Sequence, residues 1–385
     1  MRITDIQISK SNICTGLSAM MDDFRLWFRV PSDYEVSPSG DMFIAAGLFP
    51  AMVSGDDIEI ESRGPISSKL FTGIMRLQEI YHCWNPVLKK IGMHGKMSVS
   101  EPKNPGVASF FSGGVDGAYT LLKHKEEITH LIYINGFDFE MKEEDFAKVI
   151  TSRRRVTDSL NKTLIPVSTN LNSFMARNKI GSQLRYGSCL VSVAHLLGFP
   201  KTYIPSSQTY NNLQPNGSHP LTDPLWSNEA TELIHDSAHL KRTEKTQLLI
   251  ENDVIRNNLF VCWENPYQNC GKCPKCIRTM ITLKILGVKS SAFPKDLSPR
   301  DIQRLRIENK LHRPYFYQNL ELAKQKNNQK MLKALKKAQR RNAILLFIKD
   351  LDRRYLGEIM SRSVRYIKRR KASNMAERIM PSPEQ

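Results

Sequence analysis

Apolar and polar positions alternate differently in three stretches of the chain. In the first hundred residues the periods are mixed. Phe24 to Val30 alternates and predicts a strand, ended by Pro31-Ser-Asp. Asp41 to Pro50 is a short apolar segment that proline is expected to stop. Asp57 to Ser62 alternates strictly, as a half-buried strand does, while Leu70, Ile74, Leu77, Ile80 and Tyr81 mark one face of a helix over 67–84. This mixture predicts an N-terminal α+β domain over residues 1–100. It holds no catalytic constellation and reads as a scaffold or a cover for substrate.

From Val107 the pattern becomes strand and helix in turn, which predicts a mostly parallel sheet with crossover helices. Buried-type strands are expected at 108–111, 129–135, 163–169, 201–207 and 231–235, with a further strand-like run at 258–263. Helices are expected at 143–160, 188–197 and 243–251. The connection from Gln208 to about Ser227 is long for a compact domain, and such loops are usually functional or mobile. Beyond Leu286 the pattern is helical throughout, over 299–309, 315–327, 329–350 and 351–370. Leu332, Leu335, Leu345, Ile348, Leu351, Tyr355, Ile359 and Ile367 fall along one face there. The expected domains are therefore 1–100, 105–287 and a basic helical extension over 288–385.

Charge sharpens the last boundary. The net charge is +18, and the stretch from Glu321 to Lys371 carries seventeen Lys or Arg against four Asp or Glu. The charge thus belongs to the extension, a candidate surface for an RNA or protein partner, and says little about the body. No segment approaches the roughly 18 apolar residues that span a bilayer, and the first residues lack a signal-peptide pattern, so a cytoplasmic protein without a transmembrane segment is expected. Four of the seven cysteines fall within fifteen residues, which points to metal rather than disulfides.

Two stretches carry chemistry. Val107 to Leu122 reads as strand, turn and helix. Gly113 and Gly114 let the backbone approach a ligand, and the helix start presents unpaired N–H groups to a phosphate. Asp116 stands where that helix would begin and is a candidate cap. Cys262-x7-Cys270-x2-Cys273-x2-Cys276 can surround a tetrahedral ion, and a closed four-cysteine set suits structural zinc, with an iron–sulfur cluster as rival. Further candidates are Arg185 to Ser188 ahead of a helix, His219 and Asp223 in the long loop, and Arg242 and Lys245 at a helix start. Tyr210 to Asn216 is a lid candidate. Gly92 to Ser98 lacks the spacing of a Walker A loop.

Ser112-Gly-Gly-Val-Asp116 resembles the loop of the PP-loop ATP pyrophosphatase superfamily. With the downstream cysteines, residues 105–287 resemble its 7-cyano-7-deazaguanine synthase branch. The resemblance implies an α/β fold of the adenine-nucleotide α-hydrolase type, with a parallel sheet and a zinc knuckle. It implies ATP phosphates on Ser112, Gly113, Gly114, Val115, Asp116 and Gly117, with Asp116 orienting the loop or Mg²⁺. It also implies adenine near the Asn135-Gly136-Phe137-Asp138 turn, and nucleotide or substrate near Ser206 and Ser207. Catalytic roles are expected for Ser112, Asp116, Arg185, His219 and Asp223. Gly117 departs from the pattern, which has a second serine there, and so removes a hydroxyl from the cradle. The function implied is ATP-dependent activation of a carboxylate or amide-type oxygen, as adenylate or phosphate, for attack by a nitrogen nucleophile. The substrate is a small molecule, peptide or protein different from the deazaguanine, and a biosynthetic or anti-phage defence operon is a fitting setting. Alternatives are an RNA (tRNA) base-modifying enzyme of the same superfamily and a non-catalytic nucleotide-binding scaffold.

Overall fold

A meander opens the chain: β1 (Arg2–Lys10), β2 (Cys14–Met21) and β3 (Phe24–Pro31) pair antiparallel in sequence order. Then come α1 (Asp41–Ser54), β4 (Ile58–Ile60), β5 (Ile66–Ser67), α2 (Ser68–Trp84), β6 (Met93–His94) and β7 (Met97–Ser98). The alternating part follows with β8 (Val107–Phe110), α3 (Val115–Lys123), β9 (His130–Asn135), α4 (Glu143–Ser159), β10 (Thr163–Thr169), α5 (Leu171–Arg177), α6 (Ser182–Leu197), β11 (Lys201–Pro205) and β12 (Glu232–Asp236). Helices α7 (Arg242–Leu249), α8 (Asp253–Asn258), α9 (Pro274–Ile285), α10 (Pro299–Gln303), α11 (Arg313–Gln325) and α12 (Gln329–Tyr355) complete it. This computed structural model describes residues 1–355, except Ser37, Ser62, Arg63, Asp138, Phe139, Arg304, Arg306 and 308–312. The expected ends of the helices at 299–309 and 351–370, with Ile359 and Ile367, and Asp138 of the expected adenine turn lie outside the described residues.

One ten-stranded sheet runs in the order β12-β11-β8-β9-β10-β3-β2-β1-β4-β6. Strands β12 through β10 are parallel, as the strand–helix alternation predicts. The two parts expected to be separate meet at β10 and β3, which pair antiparallel with Ser168 opposite Arg29 and Thr169 opposite Phe28. Side chains extend that joint. Thr169 Oγ1 donates to the Trp27 carbonyl at 2.8 Å, and Asn170 accepts from Trp27 N and donates to the Arg25 carbonyl, both at 2.9 Å. Residue 100 is therefore no break in the sheet. Periodicity reports which face of a strand is buried and not which strand lies beside it, so this pairing left no local mark.

The chain divides instead into two compact units, Met1–Asp296 and Leu297–Gln385. The core of the first is continuous from Ile3 to Leu233, with α1 packed along α6. Helix α1 corrects the expected stop at Pro50, since it continues through Pro50 to Ser54 with Asp41 to Met52 all buried. A helix covered all round shows no apolar stripe. Pro50 forgoes only its own bond to the turn before, close to the end of the helix. Helix α6 begins at Ser182, not Ser188, so Arg185 lies in its first turn rather than ahead of it. Residues 259–263 pair with no strand, because helix α8 ends at Asn258 and the segment is drawn toward the cysteines.

In the second unit α12 runs unbroken from Gln329 to Tyr355, through the break expected at 350/351. Its buried Asn342 donates to the Leu305 and Ala338 carbonyls, at 2.9 and 2.8 Å, and accepts from Ile307 N at 3.0 Å. No helix among the described residues is long and apolar enough to cross a membrane.

Candidate functional site

The C-terminal ends of β8, β11 and β12 lie side by side, with buried Asp236 and Lys245 among the residues gathered there. Strand β8 stops at Phe110, the chain turns through Gly113 at φ +83°, and α3 starts at Val115 with Gly114 at its N-cap. A side chain at Gly113 would be strained by that φ, and its Cβ would lie 3.2 Å from Phe260 Cβ. Phe260 N donates to the Gly113 carbonyl at 2.7 Å, so the segment leading to the cysteines clasps the turn. Val115 is buried and Ser112 exposed. Over the Phe260 ring, 4.1 Å from its centroid, lies the guanidinium of Arg153 from α4. Arg153 is 7% exposed, and its Nε has no hydrogen-bond partner among the described residues. Burial lowers its pKa, against support from Tyr133.

Gly117 has a packing reason. A Cβ there would lie 3.0 Å from the Phe110 carbonyl oxygen and 3.5 Å from Phe111 Cα, because α3 sits directly on the end of its own strand. A serine would crowd that contact.

Asp116 does not cap α3, since the N-cap is Gly114 and the carboxylate pairs with Arg242 of α7. Its Oδ1 is 3.5 Å from Lys245 Nζ, which donates to the Ser206 carbonyl at 2.7 Å. Burial works to raise the Asp116 carboxyl. The positive charges of Arg242, Lys245 and Arg278 outweigh it and hold the group below the usual carboxylate range. Arg242 and Lys245 thus brace the start of α3 from beneath. Asp236, one strand over, accepts from Lys123 Nζ at 2.6 Å and Thr120 Oγ1 at 2.8 Å, with His124 Nε2 at 3.1 Å and Ser237 also bonded. Burial opposes its charge as well, yet Lys123, Ser237, Thr120 and His124 together hold its carboxyl far below the ordinary value. Ser206 N donates to the Asp236 carbonyl at 2.9 Å, which ties β11 to β12 at their ends.

At the end of β9, Asn135 closes its own loop, donating to the Met141 carbonyl at 3.0 Å and accepting from Met141 N at 2.8 Å; Gly136 follows at φ +98°. Beyond β11 a small cleft is lined by Tyr186, Ser206, exposed Ser207, Gln208, Ser218 and His235, among others. Asp223, fully buried behind it, accepts from Ser218 Oγ at 2.8 Å and His219 N at 3.1 Å, with His235 Nδ1 at 2.7 Å. His219 serves its loop. Its Nδ1 accepts from Leu221 N at 3.1 Å, and its ring meets Trp84 at 4.9 Å between centroids. Burial lowers its pKa, with His235 adding to that effect and Asp223 opposing it.

The four cysteines converge as their spacing predicts. Their sulfurs all lie within 4.8 Å of one another, with Cys262–Cys273 at 3.9 Å and Cys270–Cys276 at 4.0 Å. A tetrahedral ion with bonds of about 2.3 Å requires sulfurs about 3.8 Å apart, so the set is compatible with zinc. Backbone N–H groups of Glu264, Lys272, Cys273 and Cys276 point at Cys262, Cys270, Cys270 and Cys273 sulfurs, at 3.2–3.4 Å, as suits thiolates. Asn269 organises the knuckle. Its Oδ1 accepts from Val261 N at 2.9 Å and Cys262 N at 3.2 Å, and its Nδ2 donates to the Leu259 and Ala292 carbonyls.

Sequence reasoning missed Arg153, Asn269 and His235. Each acts through a partner remote in sequence or hidden in a loop, and none stands in a recognisable spacing. The structure gathers Ser112, Gly113, Gly114, Val115, Asp116 and Gly117 at one turn and places Asp223 behind the cleft bordered by Ser207. Asn135 and Gly136 stand at the end of the neighbouring strand β9. No known protein family, curated protein or solved structure matches this chain.

Proposed function

We propose that the turn between β8 and α3 binds the phosphates of ATP·Mg²⁺, and that the protein uses ATP to activate a carboxylate or amide-type oxygen for attack by a nitrogen nucleophile. The observation that carries this reading is a glycine turn opening onto a helix N-terminus, beside a buried arginine whose Nε has no partner among the described residues. Backbone N–H groups of 113–115 and the Arg153 guanidinium supply the positive field a polyphosphate needs. Asp116, held by Arg242 and Lys245, keeps the first turn of α3 in place. Activation is required because a carboxylate oxygen leaves poorly, whereas a phosphorylated or adenylated one leaves readily. The chain's part is to position the groups and neutralise the phosphates. Cys262, Cys270, Cys273 and Cys276 would hold a structural zinc ion, which fixes the segment through Phe260 that clasps the turn. Calorimetric titration with ATP·Mg²⁺ tests the reading. Wild type should bind at one site per chain, and Arg153→Gln should bind at least about tenfold more weakly, as loss of a charge-assisted hydrogen bond implies. Absence of binding by wild type at millimolar ATP would overturn it.

A further inference from the structure

The cleft beyond β11 contains a second arrangement that the phosphate turn does not use. His235 stands on β12 opposite Ile204 of β11, and its side chain is 5% exposed. Asp223 receives three donors. Its Oδ1 accepts from His219 N, and its Oδ2 faces both Ser218 Oγ and His235 Nδ1. A carboxylate can only accept, so Nδ1 carries a proton, and in the neutral form of the ring the lone pair is on Nε2. That Nε2 is buried and has no hydrogen-bond partner among the described residues. An unbonded ring nitrogen at 5% exposure costs stability unless a ligand completes it. The ring lines a small cleft whose other walls combine hydroxyls, amides and Tyr186 with apolar Pro205, Leu213 and Pro220. Ser206, on the same wall, is joined through its carbonyl to Lys245 and so to the Asp116 brace.

We infer that His235 is a general base in this cleft, oriented by Asp223, and that the cleft receives the nitrogen nucleophile of the proposed reaction. The inference rests on that reading for the identity of the nucleophile. As the nucleophile's nitrogen lone pair forms its bond to the activated carbon, the bond from that carbon to the phosphate-bearing oxygen breaks. The oxygen leaves with its electron pair, and the nitrogen's surplus proton passes to Nε2. Ser218 and Asp223 position the ring and touch no substrate. The lining matches a small neutral N–H donor of about the size of ammonia better than a charged one, because the described walls offer no cation or free carboxylate to it.

Two readouts test this without any nucleotide. In long-range nitrogen–proton spectra of histidine-labelled protein near neutral pH, His235 should show a protonated Nδ1 and a bare Nε2. Ammonium chloride added to the same sample should shift the His235 Nε2 resonance saturably, and Asp223→Asn should weaken that response at least tenfold. A His235 protonated on Nε2, or an Nε2 resonance that ammonium leaves unmoved, would overturn the inference. The wild-type spectrum decides the tautomer even if Asp223→Asn does not fold. If both readouts hold and wild type binds no ATP·Mg²⁺, the dyad stands and the nucleotide reading fails.

Discussion

The parallel and antiparallel halves of the sheet bury polar groups in different ways. In the antiparallel half, α1 is sheathed in apolar side chains, and its buried Asp41 is met by neutral donors: Ser67 N and Asn228 Nδ2 at 2.8 Å, and Ser100 Oγ at 3.3 Å. At the C-terminal ends of the parallel strands, Asp116 and Asp236 are held by Arg242, Lys245 and Lys123, while Arg153 and His235 keep a buried nitrogen that has no partner among the described residues. One half spends its polar groups on closing the core. The other accumulates charge and open valence beside a glycine turn, an arrangement that costs stability and is retained where a ligand completes it.

The comparison can be broken most forcefully at the cysteines. Removing the metal, or Cys276→Ser, should cost several kcal/mol and on the order of 10 °C in the melting temperature, because a structural site supplies folding free energy. Metal analysis should return about one zinc per chain, as a single closed four-cysteine set requires. Iron with a brown colour would contradict the assignment. Next in size, Phe49→Ala in α1 should lose about 3–5 kcal/mol in denaturant unfolding and leave ATP·Mg²⁺ affinity unchanged. Loss of binding in that variant at a temperature where it is folded would erase the distinction between the halves.

Lys245→Ala should cost about 3 kcal/mol, since it takes one cation from the partly buried Asp116 and the buried donor from the Ser206 carbonyl. Unlike Phe49→Ala it should also weaken nucleotide binding. Acid provides a subtler test. The folded Asp116 and Asp236 carboxyls titrate below their unfolded values, so the stability they contribute is complete above about pH 4 and is lost as pH falls further. Asp236→Asn should therefore flatten the acid side of the stability curve, and an unchanged acid limb would show that its network carries no linkage. The smallest effect is expected for Gly117→Ser, about 1–2 kcal/mol from crowding the Phe110 carbonyl, without a gain in nucleotide affinity.

These variants also mark what was legible in the sequence. The turn at Gly113 and the four cysteines depend on residues close together in the chain, and their spacing alone brought them out. The parallel strands were legible for the same reason. Helix α1 was not, because complete burial abolishes the period by which a helix is recognised. The joint of β3 to β10 and the Asp116–Arg242 brace link residues more than a hundred positions apart, where no local pattern connects them. Asp116 lies in the first turn of α3, close to where the pattern placed the helix start, but it pairs with Arg242 instead of capping. His235 looked like one more residue of a buried strand, and only the fold sets it against Asp223.

Amide hydrogen exchange with and without ATP·Mg²⁺ puts the whole account to its most direct test. Nucleotide should slow exchange in the turn at 112–118 and in the clasping segment 259–261, and leave α1 unchanged. Slowing that is absent from the turn, or equal across both halves, would contradict a phosphate site between β8 and α3.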